Sequence, residues 1–371
     1  MCVNCVLSVA IAIACQPASG GGPEQRELEA LRREARHLAN VTQLTFDGAG
    51  ERGFVRAGEG YFSPDGKTII FQAVRGRNPF FQIYTLELAT GRVRLVSTGR
   101  GKCTCAFFRP DGKKIIFASS HLDPDAAAKE AAEQRRLEKQ RHRRGRYKWE
   151  FEPYMDIFQA DPDGSNLQRL TTTAGYDAEC AYSPDGKRIV FCSTRDGDPD
   201  IYVMDADGSN VRQLTDAPGY DGGPFFSPDG NYIIFRSDRR KPDLLQLYIM
   251  RADGSQQRAL TENEGVNWCP YWHPSGRYII YSFADYSQPH RRPNFDLYLM
   301  ELKSRRSTRI TWSTAADVLP AFSPDGSKLL WTSKRRFGCK GSQLFLADFF
   351  LQPCDRTRSK PPSKPGSTPH E

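Results

Sequence analysis

The common catalytic signatures are missing from this sequence: it has no GxSxG nucleophile elbow, no HExxH zinc helix and no GxxxxGK[ST] phosphate loop. Long Ala/Leu/Glu/Lys runs are few, which argues against a helical protein. The apolar run from Val6 to Ala14 has nine residues, too few for a lasting transmembrane helix, and 39% hydrophobic content excludes a polytopic membrane protein. A spread basic surface is also lacking. The formal charge of +8 traces to residues 129–148, with nine Lys/Arg against three Glu, and to residues 354–371, with four against two. The rest of the chain is balanced, so no nucleic-acid partner is expected.

What is abundant is Gly (31), Pro (25), Phe (22) and Tyr (15) in 371 residues, a composition of short strands and tight turns. The opening MCVNCVLSVAIAIACQPASGGG suits the h-region of a secretory signal, with no Lys or Arg ahead of it. Its Ala12-Ile13-Ala14-Cys15 end resembles a bacterial lipobox, so export and lipid attachment at Cys15 are expected, and membrane contact only through that anchor. Cys2 and Cys5 form a CxxC inside the segment to be removed. Cleavage at Cys15 leaves Cys103, Cys105, Cys180, Cys192, Cys269, Cys339 and Cys354, an odd set in which Cys339 and Cys354 are the first pair to test for a disulfide.

One short turn recurs six times: FSPDG at 62, FRPDG at 108, YSPDG at 182, FSPDG at 226, WHPSG at 272 and FSPDG at 322. Pro presets φ, Asp accepts from nearby backbone N–H groups and Gly takes the φ > 0 position, so each is a hairpin turn. A run such as TIIF, RIVF or KLLW follows each turn. A second strand of the DIYVMDA type comes next, and a Leu-Thr signal closes the unit at Leu170-Thr171, Leu214-Thr215, Leu260-Thr261 and Ile310-Thr311, with a looser Leu95-Val96. Four strands per unit of roughly 45 residues is the signature of a propeller blade. The fold class expected is all-β, a six-bladed propeller with a helical, basic insertion in blade two (121–153). The sixth unit lacks its Leu-Thr strand. Residues 41–45, VTQLT, are expected to supply it and close the ring, which removes the open edge. The domains then read as signal 1–15, linker with a short helix 16–39, propeller 40–352 and disordered tail 353–371.

The SPDG turn, the IxF strand, DIYVMDADGSN at 200–210 and RQLT at 212–215 resemble the WD-like propeller repeat of the TolB family, over roughly residues 40–350. The resemblance implies an envelope protein, probing partners rather than performing chemistry, that docks a peptidoglycan-associated lipoprotein at a channel mouth. TolB proteins carry an α/β domain before the propeller; here residues 16–39 read as one short helix at most. The same kind of repeat occurs in oligogalacturonate lyases, which hold a divalent metal through histidines, so a lyase is the rival reading. The histidines of the blades are His121, His273 and His290, and His273 replaces the Ser of a turn on the opposite face.

Loops entering the innermost strand and loops between the second and third strands should share one face. Six residues before the Ser position of each turn stand Ala57, Cys103, Asp177, Asp221, Asn267 and Asp317, expected to ring a channel mouth with Glu59 and Glu179 two places further in. The loops of that face carry Arg75 and Arg77, Arg195, Arg239 to Lys241, Arg291 and Arg292, and Lys334 to Arg336. The candidate partner-binding residues are therefore Asp177, Glu179, Asp221, Asn267, Asp317, Arg195 and Glu59. Asp196, Asp198 and Asp200 alternate as calcium ligands can, but without the Gly and distant Glu of an EF-hand they read as a solvated loop. No metal, cofactor or catalysis is expected, and the chain should act as a monomer.

Overall fold

The turns repeat because each is a closed hydrogen-bonded device. The Ser63 hydroxyl donates to Asp65 at 2.6 Å while accepting the Thr68 N–H at 2.9 Å, Asp65 accepts the Lys67 N–H at 3.1 Å, and Gly66 sits at φ 70°. Ser183 and Ser323 repeat this pattern. In WHPSG the imidazole of His273 takes over, its Nδ1 accepting the Ser275 N–H at 3.1 Å. The strands that follow are apolar on both sides, with Ile69, Ile70 and Phe71 fully buried, because each sheet is covered by a neighbour on either face.

The computed structural model describes residues 23–48, 50–76, 78–139, 151–288, 290, 293–335 and 340–352. Four antiparallel four-stranded sheets follow the repeat in chain order or close it. One runs Arg56–Phe62, Thr68–Val74, Gln82–Glu87, Val93–Leu95; two more start at Asp221–Phe226 and Gly265–Trp272. The fourth joins Asp317–Phe322, Lys328–Ser333 and Gln343–Phe349 to Leu38–Gln43. An eight-stranded sheet holds the second and third units, whose two four-stranded halves meet through a short parallel pairing, Tyr154 with Gly175 and Met155 with Tyr176. Innermost strands touch in a closed circuit: 56–62 against 103–108, then 175–182, 221–226, 265–272, 317–322 and back to 56–62.

The N-terminal closing strand is present and begins earlier than residues 41–45. Leu38 pairs with Phe349 and Gln43 with Phe345, with a bulge between Ala39 and Thr42. Leu44 and Thr45 then continue the pattern, the Leu44 N–H reaching Leu344 O at 2.8 Å. The Leu-Thr signal has a shared physical basis: the Thr hydroxyl accepts the N–H of a third-strand residue. Thr171 holds Ile157, Thr215 holds Ile201, Thr261 holds Leu247 and Thr311 holds Leu297, each at 2.9 Å. In the first unit Ser97 holds Ile83 at 3.0 Å, so Val96-Ser97, one residue beyond Leu95-Val96, is the equivalent pair.

Two helices flank the strands. α1, Pro23–Glu34, is the expected short helix; α2, Ala126–Lys139, is the helical part of the insertion, and its Glu130 accepts the Gly101 N–H at 2.6 Å. Among the described residues no helix is long and apolar enough to cross a membrane. The signal segment with Cys15, Arg77, residues 140–150, Arg291, Arg292, Arg336, Cys339, Cys354 and the tail 353–371 lie outside the described residues. The five described cysteines are free and buried.

Candidate functional site

Each innermost strand carries a bulge just before its turn, at which one residue adopts the left-handed conformation: Glu59, Cys105, Glu179, Gly223, Cys269 and Leu319, with φ from 47° to 58°. A left-handed non-glycine residue costs about 1–2 kcal/mol, and the ring repeats that cost at five of six positions. The bulge re-aims these side chains toward the axis. All six line a central cavity of about 620 Å³.

Two residues further along, the next layer closes the cavity on the side of the turns. Tyr61 lies with its ring centroid 5.2 Å from Phe107, 5.6 Å from Phe225 and 5.7 Å from Tyr271. Opposite the turns, the cavity is lined by Val55 and Ala316 from loops entering the innermost strands, and by Phe81, Phe295, Lys334 and Lys340 from loops between second and third strands. Those two loop sets share one face, as expected, and among the described residues the cavity is a funnel closed by rings toward the turns and open toward that face.

The expected open ring of carboxylates is corrected by burial. Asp177, Asp221, Asn267 and Asp317 are all 1% exposed or less. Their partners are internal. Arg195 Nη2 donates to both Asp177 oxygens at 3.1 Å, Arg239 donates to Asp221, and Arg335 Nε donates to Asp317 at 3.1 Å. Asn267 bonds Asn263 and Gln246. Arg195, Arg239 and Arg335 of these loops thus turn inward, because a buried carboxylate needs its counter-charge close by. Arg75 donates to Gly50 O at 2.8 Å, and Arg240 and Lys241 pair with Glu262 and Glu264 at the surface. A sequence signal for this was available. Each Asp–Arg pair is separated by 18 residues, whereas Arg75, His121 and Asp285 stand at that offset from Ala57, Cys103 and Asn267.

Glu59 and Glu179 do face the funnel, and they differ. Glu179 accepts from the Tyr220 hydroxyl at 2.8 Å, the Gly223 N–H at 2.5 Å and Arg236 Nη2 at 3.0 Å. Arg236 was not a sequence candidate. It follows the IIF run, where the other units carry Gln72, Ala118, Cys192, Ser282 and Thr332, and it reaches the axis across Gly222-Gly223. A Cβ on Gly223 would lie 2.0 Å from Arg236 Nη1, and one on Gly222 2.2 Å from the Tyr220 hydroxyl. Glu59 accepts from the Tyr61 hydroxyl at 3.5 Å and from the Cys105 thiol; burial, reinforced by Glu179, raises its pKa to about 7. Burial holds the Cys105 and Cys269 thiols protonated. None of His121, His273 and His290 lines the cavity. Asp196, Asp198 and Asp200 come together, with Asp198 accepting the Gly219 N–H at 2.9 Å and Asp200 the Thr215 hydroxyl at 2.8 Å.

Residues 194–290 match the TolB beta propeller domain family. A curated relative, an uncharacterised protein of Agrobacterium fabrum, is 38% identical over 132 residues, 36% of this chain, which spans about a third (34%) of that relative's length. Among solved structures, a protein of Agrobacterium tumefaciens assigned to TolB superposes with a TM-score of 0.55 at 22% identity, covering 79% of this chain and 90% of that one. TolB from Acinetobacter baumannii gives 0.53 at 18% identity, covering 82% of this chain and 65% of that one. An oligogalacturonate lyase from Vibrio parahaemolyticus gives 0.50 at 15% identity, covering 83% and 93%. At these identities the solved structures share the fold and nothing finer. With its recurring turn, its four-stranded blades and the family match at 194–290, the chain carries TolB β-propeller repeats.

Proposed function

We propose that this chain is a six-bladed, TolB-like docking scaffold of the bacterial cell envelope, without catalytic activity, that receives a protein partner at the open mouth of its funnel. The blade count takes each half of the eight-stranded sheet as one blade, consistent with the circuit of innermost strands. The observation that carries the docking reading is the one-sided funnel: an aromatic layer closes it toward the turns, while Phe81, Phe295 and exposed Lys334 and Lys340 frame the other end. A concave, largely apolar site with a few polar groups suits an inserted segment of a partner. Export, an anchor at Cys15, action as a monomer and a peptidoglycan-associated lipoprotein as partner complete the proposal. The lyase reading is less favoured because the three blade histidines lie away from the cavity.

Photo-crosslinking tests it. A crosslinking residue at Phe81 or Phe295 should capture a protein from envelope extracts, and one at Lys113 or Lys187, on the turn face, should not. Capture confined to the turn face rejects the docking site. Unsaturated products released from pectic oligomers with added manganese would establish the lyase instead.

A further inference from the structure

The funnel holds two carboxylates with different states of compensation. Glu179 has Arg236, Tyr220 and a backbone N–H, whereas Glu59 enters no ion pair among the described residues. The groups facing Glu59 are Glu179 and Arg236 from across the funnel, the Tyr61 hydroxyl beside it, and the thiols of Cys105, Cys180 and Cys269. Arg236 is committed to Glu179, and the other cations that line the cavity, Arg56, Lys334 and Lys340, form no ion pair with Glu59 among the described residues, so Glu59 is the acid of the site without a counter-charge.

We propose that Glu59 anchors a primary ammonium group carried on an unbranched alkyl chain, entering from the mouth past Trp268, Phe295 and Leu319. An ammonium is a compact charge with three donors, which the Glu59 carboxylate and the Tyr61 oxygen, 3.5 Å from it, are placed to accept. The walls are apolar and aromatic, which favours an alkyl stem and adds attraction of the cation to ring faces. An anionic group would meet two carboxylates at the base and is disfavoured. The ammonium has two sources, a lysine side chain of a docked protein or a free amine; the first rests on the docking reading above.

Calorimetric titration of the full chain with n-butylamine, 6-aminohexanoate, hexanoate and a blocked lysine-containing peptide distinguishes them. Butylamine or the lysine peptide should bind and hexanoate should not. Free Glu59 is half protonated near pH 7, and an alkylamine stays charged throughout, so binding releases a proton and tightens as pH rises. The gain from pH 5.5 to pH 8 should be roughly thirty-fold. Glu59→Gln should weaken binding at least about ten-fold and abolish this pH dependence, with an unchanged circular dichroism spectrum. Leu319→Lys, on the neighbouring innermost strand, supplies an internal ammonium and should block the added amine. Hexanoate binding as well as butylamine, affinity independent of pH, or a folded Glu59→Gln that binds as the parent overturns the proposal. Amine binding without any mouth crosslink leaves the amine site standing and removes the docking reading; a mouth crosslink without amine or lysine-peptide binding does the reverse.

Discussion

The Thr45 hydroxyl accepts the backbone N–H of Leu344 at 2.9 Å, joining residues 299 apart in the chain and sealing the ring at its seam. The same bond recurs inside the other units over separations of 14 residues. Thr45→Val keeps the shape but leaves a buried N–H unpaired, so urea denaturation should show a loss of about 1–3 kcal/mol. Deleting residues up to 45 removes the whole closing strand and should prevent cooperative unfolding, read by circular dichroism.

Arg335 serves two buried acids at once. It donates to Glu34 of α1 at 2.8 and 3.0 Å and to Asp317 of the innermost strand, and Glu34 also accepts the Trp312 N–H at 2.7 Å. Burial raises the pKa of Glu34, with Arg335 opposing the rise. Arg335→Ala should cost about 3–5 kcal/mol, because it strands two carboxylates. Amide exchange in α1 should accelerate in this variant, since Glu34 ties the helix to the propeller.

Gly223 stands where a side chain would collide with Arg236, at φ 58°. Gly223→Ala should therefore destabilise by about 2 kcal/mol from backbone strain and displacement together. Arg236→Met, which leaves Glu179 without its counter-charge, should move stability in the same direction and should leave the remote Ser227 turn intact by amide exchange.

Stability should decline from mildly acidic toward alkaline pH. Burial raises Asp156 to about 6 and Asp200, Asp296 and Glu59 to about 7, from unfolded values of 3.8 and 4.5. The folded state thus binds more protons than the unfolded one between these limits. The stability this confers is present in full below the unfolded values and is lost as pH rises through 6 to 7. The turn aspartates act in reverse. Hydrogen bonds from Ser323 and Ser327 lower Asp325 to about 2, so its contribution, present above 3.8, is lost as pH falls toward 2. Urea midpoints should peak in the mildly acidic range, and Asp200→Asn should flatten the alkaline side.

Much of the architecture was legible because its determinants are local. SPDG turns, IxF strands and Leu-Thr pairs each act within one unit, and a repeat missing from the end of the chain and found near its start implied the seam. The site was less legible. Asp177, Asp221 and Asp317 read as free carboxylates because their arginines lie 18 residues on, and only the 18-residue offset, set by a strand pair and its loop, reveals the partnership. Arg236 was hidden among buried strand residues, since its direction depends on two glycines of the adjacent strand.

Turn chemistry and hydrophobic patterning act over a few residues, so the sequence by itself determined the repeated blade, its strand order and the return of the N-terminus to the last unit. Which carboxylate is neutralised and which stays uncompensated was decided only by the tertiary structure. Glu59 and Glu179 occupy the same place in their own units, and what separates them is an arginine delivered from a different sheet.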